Sequence, residues 1–155
     1  MNNAQNLNLE WASTLLKASA RESLQQEQEF LRLVDEVDGK VTPEIAGTLF
    51  KTFSAQPDYG TQERVISVLA SADDRIVTIA LLSELPRLLA EAEEWAHALI
   101  GEEVEYRPEL LVQLVSAIPL SAKKALITVL TDSEFQDFHE MARSLALRIE
   151  GSSCM

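Results

Sequence analysis

The stretch LLSELP at residues 81–86 has a close counterpart in LVSAIP at residues 114–119. Both stretches place apolar residues at the same positions, and both end in proline. The same apolar spacing occurs earlier in the chain at Leu49, Phe50 and Phe53. Any two amphipathic helices can be aligned in some register, but three copies of one pattern at nearly constant intervals indicate an internal helix-pair repeat.

A second helical pattern follows each copy of the first. Its three matching sets are Val65, Ile66, Val68 and Leu69, then Trp95, Ala96, Ala98 and Leu99, and then Leu126, Ile127, Val129 and Leu130. Pro43 and Pro108 also occupy the same place at the start of the first and third copies. These matches predict three antiparallel helix pairs at 43–72, 74–101 and 108–131.

Helical patterns also flank the repeats. Two helices, at about 7–18 and 20–38, are predicted before them, and one helix at 132–149 is predicted after them. Stacked helix pairs share one continuous core, and atypical ends act as caps. The sequence therefore predicts an all-α fold, a short α-solenoid of HEAT-like antiparallel helix pairs with N- and C-terminal capping helices. The predicted solenoid is a single domain over 1–150, and a tail follows at 151–155.

Capping signals predict where several helices begin and end. Residues 19–22 (Ser-Ala-Arg-Glu) have the spacing of a capping box, and Gly39 is suited to end the helix that follows. Residues 131–134 (Thr-Asp-Ser-Glu) form a second capping box before the last helix, which Gly151 is expected to end. Three further N-caps are predicted at Thr42, Thr61 and Ser121. The last helix has an apolar face made of Phe135, Phe138, Ala142, Leu145 and Ile149.

The net charge of the chain limits the classes of partner that are expected. Its 155 residues include 25 acidic and 13 basic side chains, which give a formal net charge of −12. Because phosphates and anionic lipids would be repelled, neither nucleic acid nor a membrane surface is an expected partner. The charge suits a basic protein partner, although solubility alone also accounts for it.

Cysteine content and the N-terminal sequence indicate a cytoplasmic protein. Cys154 is the only cysteine, so neither an internal disulfide nor a zinc cluster is expected. The opening residues MNNAQNLNLEWA have no basic region and no apolar core of a secretory signal. The apolar run IVTIALL at 76–82 is too short to span a bilayer.

The few residues suited to catalysis or metal binding form no recognisable motif. Glu94 and His97 have the Glu-x-x-His spacing of di-iron bundles, but such sites need a second copy and further inward glutamates. His139 and Glu140 are not followed by the second histidine of a zinc protease motif. There is no glycine-rich phosphate loop and no nucleophile elbow. The sequence therefore predicts no enzyme, no catalytic residue, no metal site and no cofactor.

The most unusual segment is LAEAEEWAHALIGEEVEY at 89–106, which holds six glutamates and no lysine or arginine. The repeat alignment places Trp95 in the core and His97 on the outer polar side. It treats 101–106 as an acidic connection, and Tyr59 is also expected in a loop. Tyrosine beside acids on a loop is typical of protein contacts, and a solvated helix end is the alternative. The candidate partner-binding residues are Glu94, Glu102, Glu103, Glu105, Tyr106 and Tyr59.

The segment ELPRLLAEAEEWAHALI at 84–100, with LLSELP before it and RPELLVQL after it, resembles a group of all-helical bacterial immunity proteins. These proteins accompany polymorphic and contact-dependent growth-inhibition toxins (the CdiI type). The residues that carry the resemblance are Leu85, Pro86, Glu94, Trp95, Ala96, Leu99 and Ile100. The resemblance extends loosely over 30–131. This chain has GEEVEY where the family carries a basic, amide-bearing segment, which fits a surface diversified to match one toxin.

The resemblance implies a non-enzymatic inhibitor that binds one cognate toxin domain, one to one, and neutralises it. Many such toxins are basic nucleases, and an acidic inhibitor suits a basic nuclease. Two other interpretations stay open on the residues alone. One is a helical-repeat scaffold or adaptor that binds several partners loosely, which the number of partners would distinguish. The other is a small enzyme that uses His97 or His139, which substitution of either histidine would reveal.

Overall fold

A computed structural model of the chain describes residues 3–56 and 60–152, with side chains over 9–56 and 60–151. Within these residues the structure is helical, with no β-strand, which confirms the predicted all-α class. The described helices are α1 (Asn3–Ala18), α2 (Leu24–Glu36), α3 (Pro43–Lys51), α4 (Thr61–Leu69), α5 (Asp74–Glu91), α6 (Glu93–Tyr106), α7 (Pro108–Leu114), α8 (Leu120–Leu130), α9 (Ser133–Phe138) and α10 (Ala142–Ser152). A short 3₁₀ turn, Val115–Ala117, follows α7.

The chain forms two compact units, residues 1–77 and 78–155, and the division falls in the first turn of α5. The single domain over 1–150 remains a prediction. Gly151 and Ser152, predicted to begin a tail, belong to α10 instead. Cys154 lies outside the described residues.

In the first unit, α1 packs on α2 and α3, and α4 packs on α2 and α3. Its core combines aliphatic residues with three buried phenylalanines, and the Phe50 and Phe53 rings stack with centroids 6.0 Å apart. The indole nitrogen of Trp11 donates a hydrogen bond of 2.9 Å to the carbonyl of Leu33, which joins α1 to α2. The largest fully buried side chains of this unit are Leu15, Phe30, Leu49, Phe50 and Phe53.

In the second unit, α6 packs on α7 and α8, and α10 packs on α7, α8 and α9. Arg148 of α10 donates two hydrogen bonds, of 2.9 and 2.8 Å, to the carboxylate of Glu109 in α7. Hydrogen bonding to this guanidinium lowers the pKa of the Glu109 carboxyl below its ordinary value. The largest fully buried side chains of this unit are Leu81, Leu82, Leu85, Leu88, Ile100, Leu111 and Leu114.

The first helices of the three predicted pairs follow the repeat closely. Pro43 and Pro108 each occupy the first position of a helix, as predicted. The equivalent residues Leu49, Leu81 and Leu114 are all buried. The prolines that end the two quoted stretches behave differently, because α5 continues through Pro86 to Glu91 whereas Pro119 precedes α8.

The second helices of the three predicted pairs share an order of buried and exposed residues, but in α6 this order begins one residue later than predicted. In α4, the five residues from Val65 to Leu69 are in turn buried, half-buried, exposed, buried and buried. The five residues of α8 from Leu126 to Leu130 show the same order. In α6 the same order begins at Ala96 and ends at Ile100. The predicted core position of Trp95 is therefore wrong by one residue. Ala96 is fully buried, and the Trp95 side chain is half-buried.

Of the predicted N-caps, Thr42 is confirmed and several others are wrong. Thr42 caps α3 as predicted, with its hydroxyl accepting from the Ile45 amide at 3.2 Å. Ser19 does not cap α2, because its hydroxyl donates to the Leu16 carbonyl at the end of α1. Ser23 is the N-cap instead, accepting from the Gln26 amide at 3.1 Å. Beyond α2, Gly39 takes a left-handed conformation with φ +78.

Three other predicted N-caps are displaced by one or more residues. Thr61 is the first residue of α4, after Gly60, and its buried hydroxyl accepts a hydrogen bond from Arg21. Ser121 lies inside α8, which follows Pro119. The residue that caps α9 is Asp132, not Thr131, and its carboxylate accepts from the Phe135 amide at 2.9 Å.

The predicted last helix is two helices. The backbone leaves the helical conformation at His139, with φ −132 and ψ 95, and helix resumes at Ala142. This break turns one predicted core residue outward, since the Phe138 side chain is 77% exposed whereas Phe135 is buried. The other residues of the predicted apolar face, Ala142, Leu145 and Ile149, are buried as expected. Gly151 does not end the helix.

Candidate functional site

Helix α6 carries most of the acidic segment, and it is longer than predicted. The segment 101–106 was expected to be a connection, but α6 runs without interruption to Tyr106. The amide of Arg107 donates to the Glu103 carbonyl at 2.8 Å, and Pro108 opens α7 directly afterwards. The helix places these acids in fixed positions around its axis rather than in a loop.

Glu103 points into the protein and not into solvent. It is 2% exposed, and both of its carboxylate oxygens accept from the guanidinium of Arg107, at 2.9 and 3.1 Å. The buried Thr78 hydroxyl donates to the same carboxylate at 2.9 Å. This carboxylate is paired and hydrogen-bonded, as a buried charge must be. The prediction that Glu103 contributes to a partner-binding face is therefore wrong.

The other predicted acids of α6 are exposed. Glu94, Glu102 and Glu105 lie on one side of the helix, because Glu102 follows Glu94 by about two turns and Glu105 follows it by about three. Tyr106 follows them at the end of the helix and is 72% exposed. These four residues are called the acidic stripe below. The remaining candidate, Tyr59, lies outside the described residues.

The corrected register also changes which residues of the other copies correspond to Glu94. Aligning Trp95 with Val65 and Leu126 pairs Glu94 with Arg64 and Ala125, neither of them acidic. With Ala96 as the equivalent of Val65 and Leu126, its counterparts are Glu63 and Lys124. The first copy thus also carries an acid at this position.

Beside the stripe, α6 and α9 enclose a groove of about 500 Å³, called the α6–α9 groove below. Carboxylates line both of its walls, and the exposed ring of Phe138 stands at its edge. The only two histidines of the chain, far apart in sequence, both line it. The lining residues are Glu93, Glu94, His97, Ala98, Asp132, Glu134, Phe135, Phe138 and His139.

Two contacts hold His139 against α6, one with Glu105 and one with Gly101, and a third joins its ring to Phe135 of α9. Its Nδ1 lies 2.8 Å from a carboxylate oxygen of Glu105. Its ring packs on Phe135 with centroids 4.4 Å apart, and His97 meets the same phenyl ring edge-on at 5.8 Å. A Cβ atom on Gly101 would lie 2.8 Å from the His139 ring nitrogen Nε2, so a glycine is required for this close approach.

Replacing Gly101 by alanine is therefore expected to displace His139 without unfolding the protein. The clash falls on the end of a side chain that can move, and alanine is favoured over glycine in a helix by about 1 kcal/mol. We expect the unfolding free energy to stay within about 1 kcal/mol of wild type. In two-dimensional NMR, the ring resonances of His139 should shift, and the signals that report its contact with Glu105 should disappear. Gly47, where a Cβ meets nothing within 4 Å, offers the matched Gly→Ala control.

Most of the residues that line the α6–α9 groove could not be predicted from the sequence. The apolar spacing predicts one continuous helix that includes Phe138 and His139, and the capping-box pattern places Asp132 inside the box rather than at the cap. Only the Asp-Ser-Glu sequence before Phe135 carries a usable signal, because aspartate is a strong N-cap. The approach of His139 to Gly101 depends on the break after Phe138, which the helical spacing of apolar residues conceals.

The described residues hold no group of three or more side chains arranged to bind a metal ion. In the same part of the chain, no helix is both long and apolar enough to cross a membrane. Comparisons with protein-family models, with curated proteins and with solved structures give no significant match.

Proposed function

We propose that this chain is a bacterial immunity protein, which binds a cognate toxin domain one to one in the cytoplasm and neutralises it. The observation that carries the proposal is the acidic stripe, which combines three exposed carboxylates and an exposed tyrosine on one helix. Exposed tyrosine is enriched in protein interfaces, and fixed carboxylates attract a basic partner. The proposed partner is a basic nuclease domain.

The proposed architecture is a short HEAT-like α-solenoid. The order of buried and exposed residues that recurs in α4, α6 and α8 supports it, because a repeated burial pattern is what stacked helix pairs require. Such arrays offer extended surfaces for binding proteins. In this proposal the second unit supplies the toxin-facing surface through α6.

The proposal is tested by calorimetry with the C-terminal toxin domain of the polypeptide encoded immediately upstream. We expect a complex of nanomolar affinity or tighter with a stoichiometry of one, weakened by added salt because exposed charges are screened. Several loose partners instead of one would favour a scaffold or adaptor. Absence of binding to this domain would contradict the proposed function.

The role of the stripe is tested by charge reversal at Glu94, Glu102 and Glu105 to lysine. We expect association with the toxin domain to slow at least about tenfold at low salt, because electrostatic steering depends on complementary charge. The control reverses three exposed acids of the first unit, Glu22→Lys, Glu44→Lys and Glu63→Lys, and thus changes the net charge equally. Equal slowing in both variants would remove the stripe from the mechanism.

A further inference from the structure

The α6–α9 groove differs from the acidic stripe because it is concave and contains an aromatic surface. Glu93 and Glu94 form one wall, and Asp132 and Glu134 belong to the other. Phe138 at its edge is 77% exposed, although a phenylalanine normally buries its ring. An exposed aromatic ring between carboxylates is suited to a ligand that is both cationic and able to stack.

Among the described residues, no ion pair is made by three of the carboxylates that line the groove, those of Glu93, Glu94 and Glu134. Of the four arginines in the second unit, three are paired with other acids, Arg87 with Glu84, Arg107 with Glu103 and Arg148 with Glu109. The groove therefore presents unpaired negative charge on two sides of a space large enough for side chains.

We propose that the α6–α9 groove is the docking site for an arginine-bearing segment of the partner protein. A guanidinium lies over the Phe138 ring, and its N–H groups donate to carboxylates of the two walls. Arginine fits better than lysine, because its planar guanidinium stacks on aromatic faces and donates in a fork. The inference deepens the proposed function and rests on it for the identity of the partner, a basic toxin domain.

The test uses the whole protein and a capped hexapeptide, acetyl-Arg-Leu-Arg-Arg-Leu-Arg-amide, followed by NMR titration of ¹⁵N-labelled protein. We expect amide shifts concentrated in α6 and α9. The double variant Glu93→Gln/Glu134→Gln should weaken binding about tenfold, and Phe138→Ala about threefold. The control Glu44→Gln/Glu63→Gln removes the same charge from exposed positions of the first unit and should change binding less than about twofold. Equal weakening by the control would overturn the inference.

Binding of the toxin domain separates this inference from the proposed function. If the toxin domain binds wild type and the Glu93→Gln/Glu134→Gln variant equally, immunity stands and the groove is not its docking site. If the toxin domain does not bind while the peptide behaves as expected, the proposed function fails and the groove remains a site for basic segments. Neither substituted acid belongs to the acidic stripe, so the Glu93→Gln/Glu134→Gln variant leaves the carboxylates of the stripe in place.

Discussion

Replacing Phe135 by alanine is expected to lower the free energy of unfolding by about 3–4 kcal/mol, a large part of the stability of a small protein. Its side chain is only 4% exposed, and its ring separates His97 from His139. Truncation removes buried apolar surface and leaves a cavity under the break between α9 and α10. Urea denaturation followed by far-ultraviolet circular dichroism measures the change.

Phe138, three residues further on, offers a matched control. The sequence assigns both phenylalanines to one apolar face, but the Phe138 side chain is 77% exposed. Its replacement by alanine should change the unfolding free energy by less than about 0.5 kcal/mol, because little buried surface is lost. A cost at Phe138 similar to that at Phe135 would mean that the last helix is continuous and that the α6–α9 groove does not exist in this form.

Replacing Glu103 by alanine is expected to cost about 2 kcal/mol of unfolding free energy. The substitution removes the carboxylate that accepts from Arg107 and from the buried Thr78 hydroxyl. The buried Thr78 hydroxyl then loses this acceptor, and the Arg107 guanidinium loses two charge-assisted hydrogen bonds. The side chain of Arg107 is 31% exposed, so water reduces this cost below that of a fully buried pair.

Its neighbour Glu102 serves as the control for this prediction. Glu102 is exposed, and its replacement by alanine should change stability by less than about 0.5 kcal/mol. Glu103→Gln, which keeps the shape of the side chain and one acceptor for Thr78, should lie between the two. Equal stability of the Glu102→Ala and Glu103→Ala variants in urea would contradict the buried position of Glu103.

The acidic character of α6 could be predicted from the sequence, but the role of each acid could not. Glu94, Glu102 and Glu105 are exposed as expected, whereas Glu103 lies in the same run and is buried. A Glu-Arg pair four residues apart looks the same in sequence whether it is solvated or buried. The difference comes from Thr78, which only the packed unit places beside the carboxylate.

The register of the repeat shows a second limit. Trp95 is the largest apolar side chain in its helix, so an alignment by hydrophobicity assigns it to the core. The small residue Ala96 is fully buried instead, and the Trp95 ring is half-buried at the margin. A hydrophobicity scale ranks Trp95 above Ala96 as a core residue. The space between the packed helices also decides burial, and here it takes the small side chain of Ala96.

The sequence alone predicts the helical class, the burial of Leu49, Leu81 and Leu114 and the start of α3 at Thr42 and Pro43. These features depend on interactions within a few residues, which apolar periodicity and capping chemistry record directly. The packed structure is needed for the break after Phe138, the burial of Glu103 and the approach of His139 to Gly101. Each of these depends on contacts between helices that are distant in sequence, because burial and cavity shape belong to the packed unit and not to any one segment.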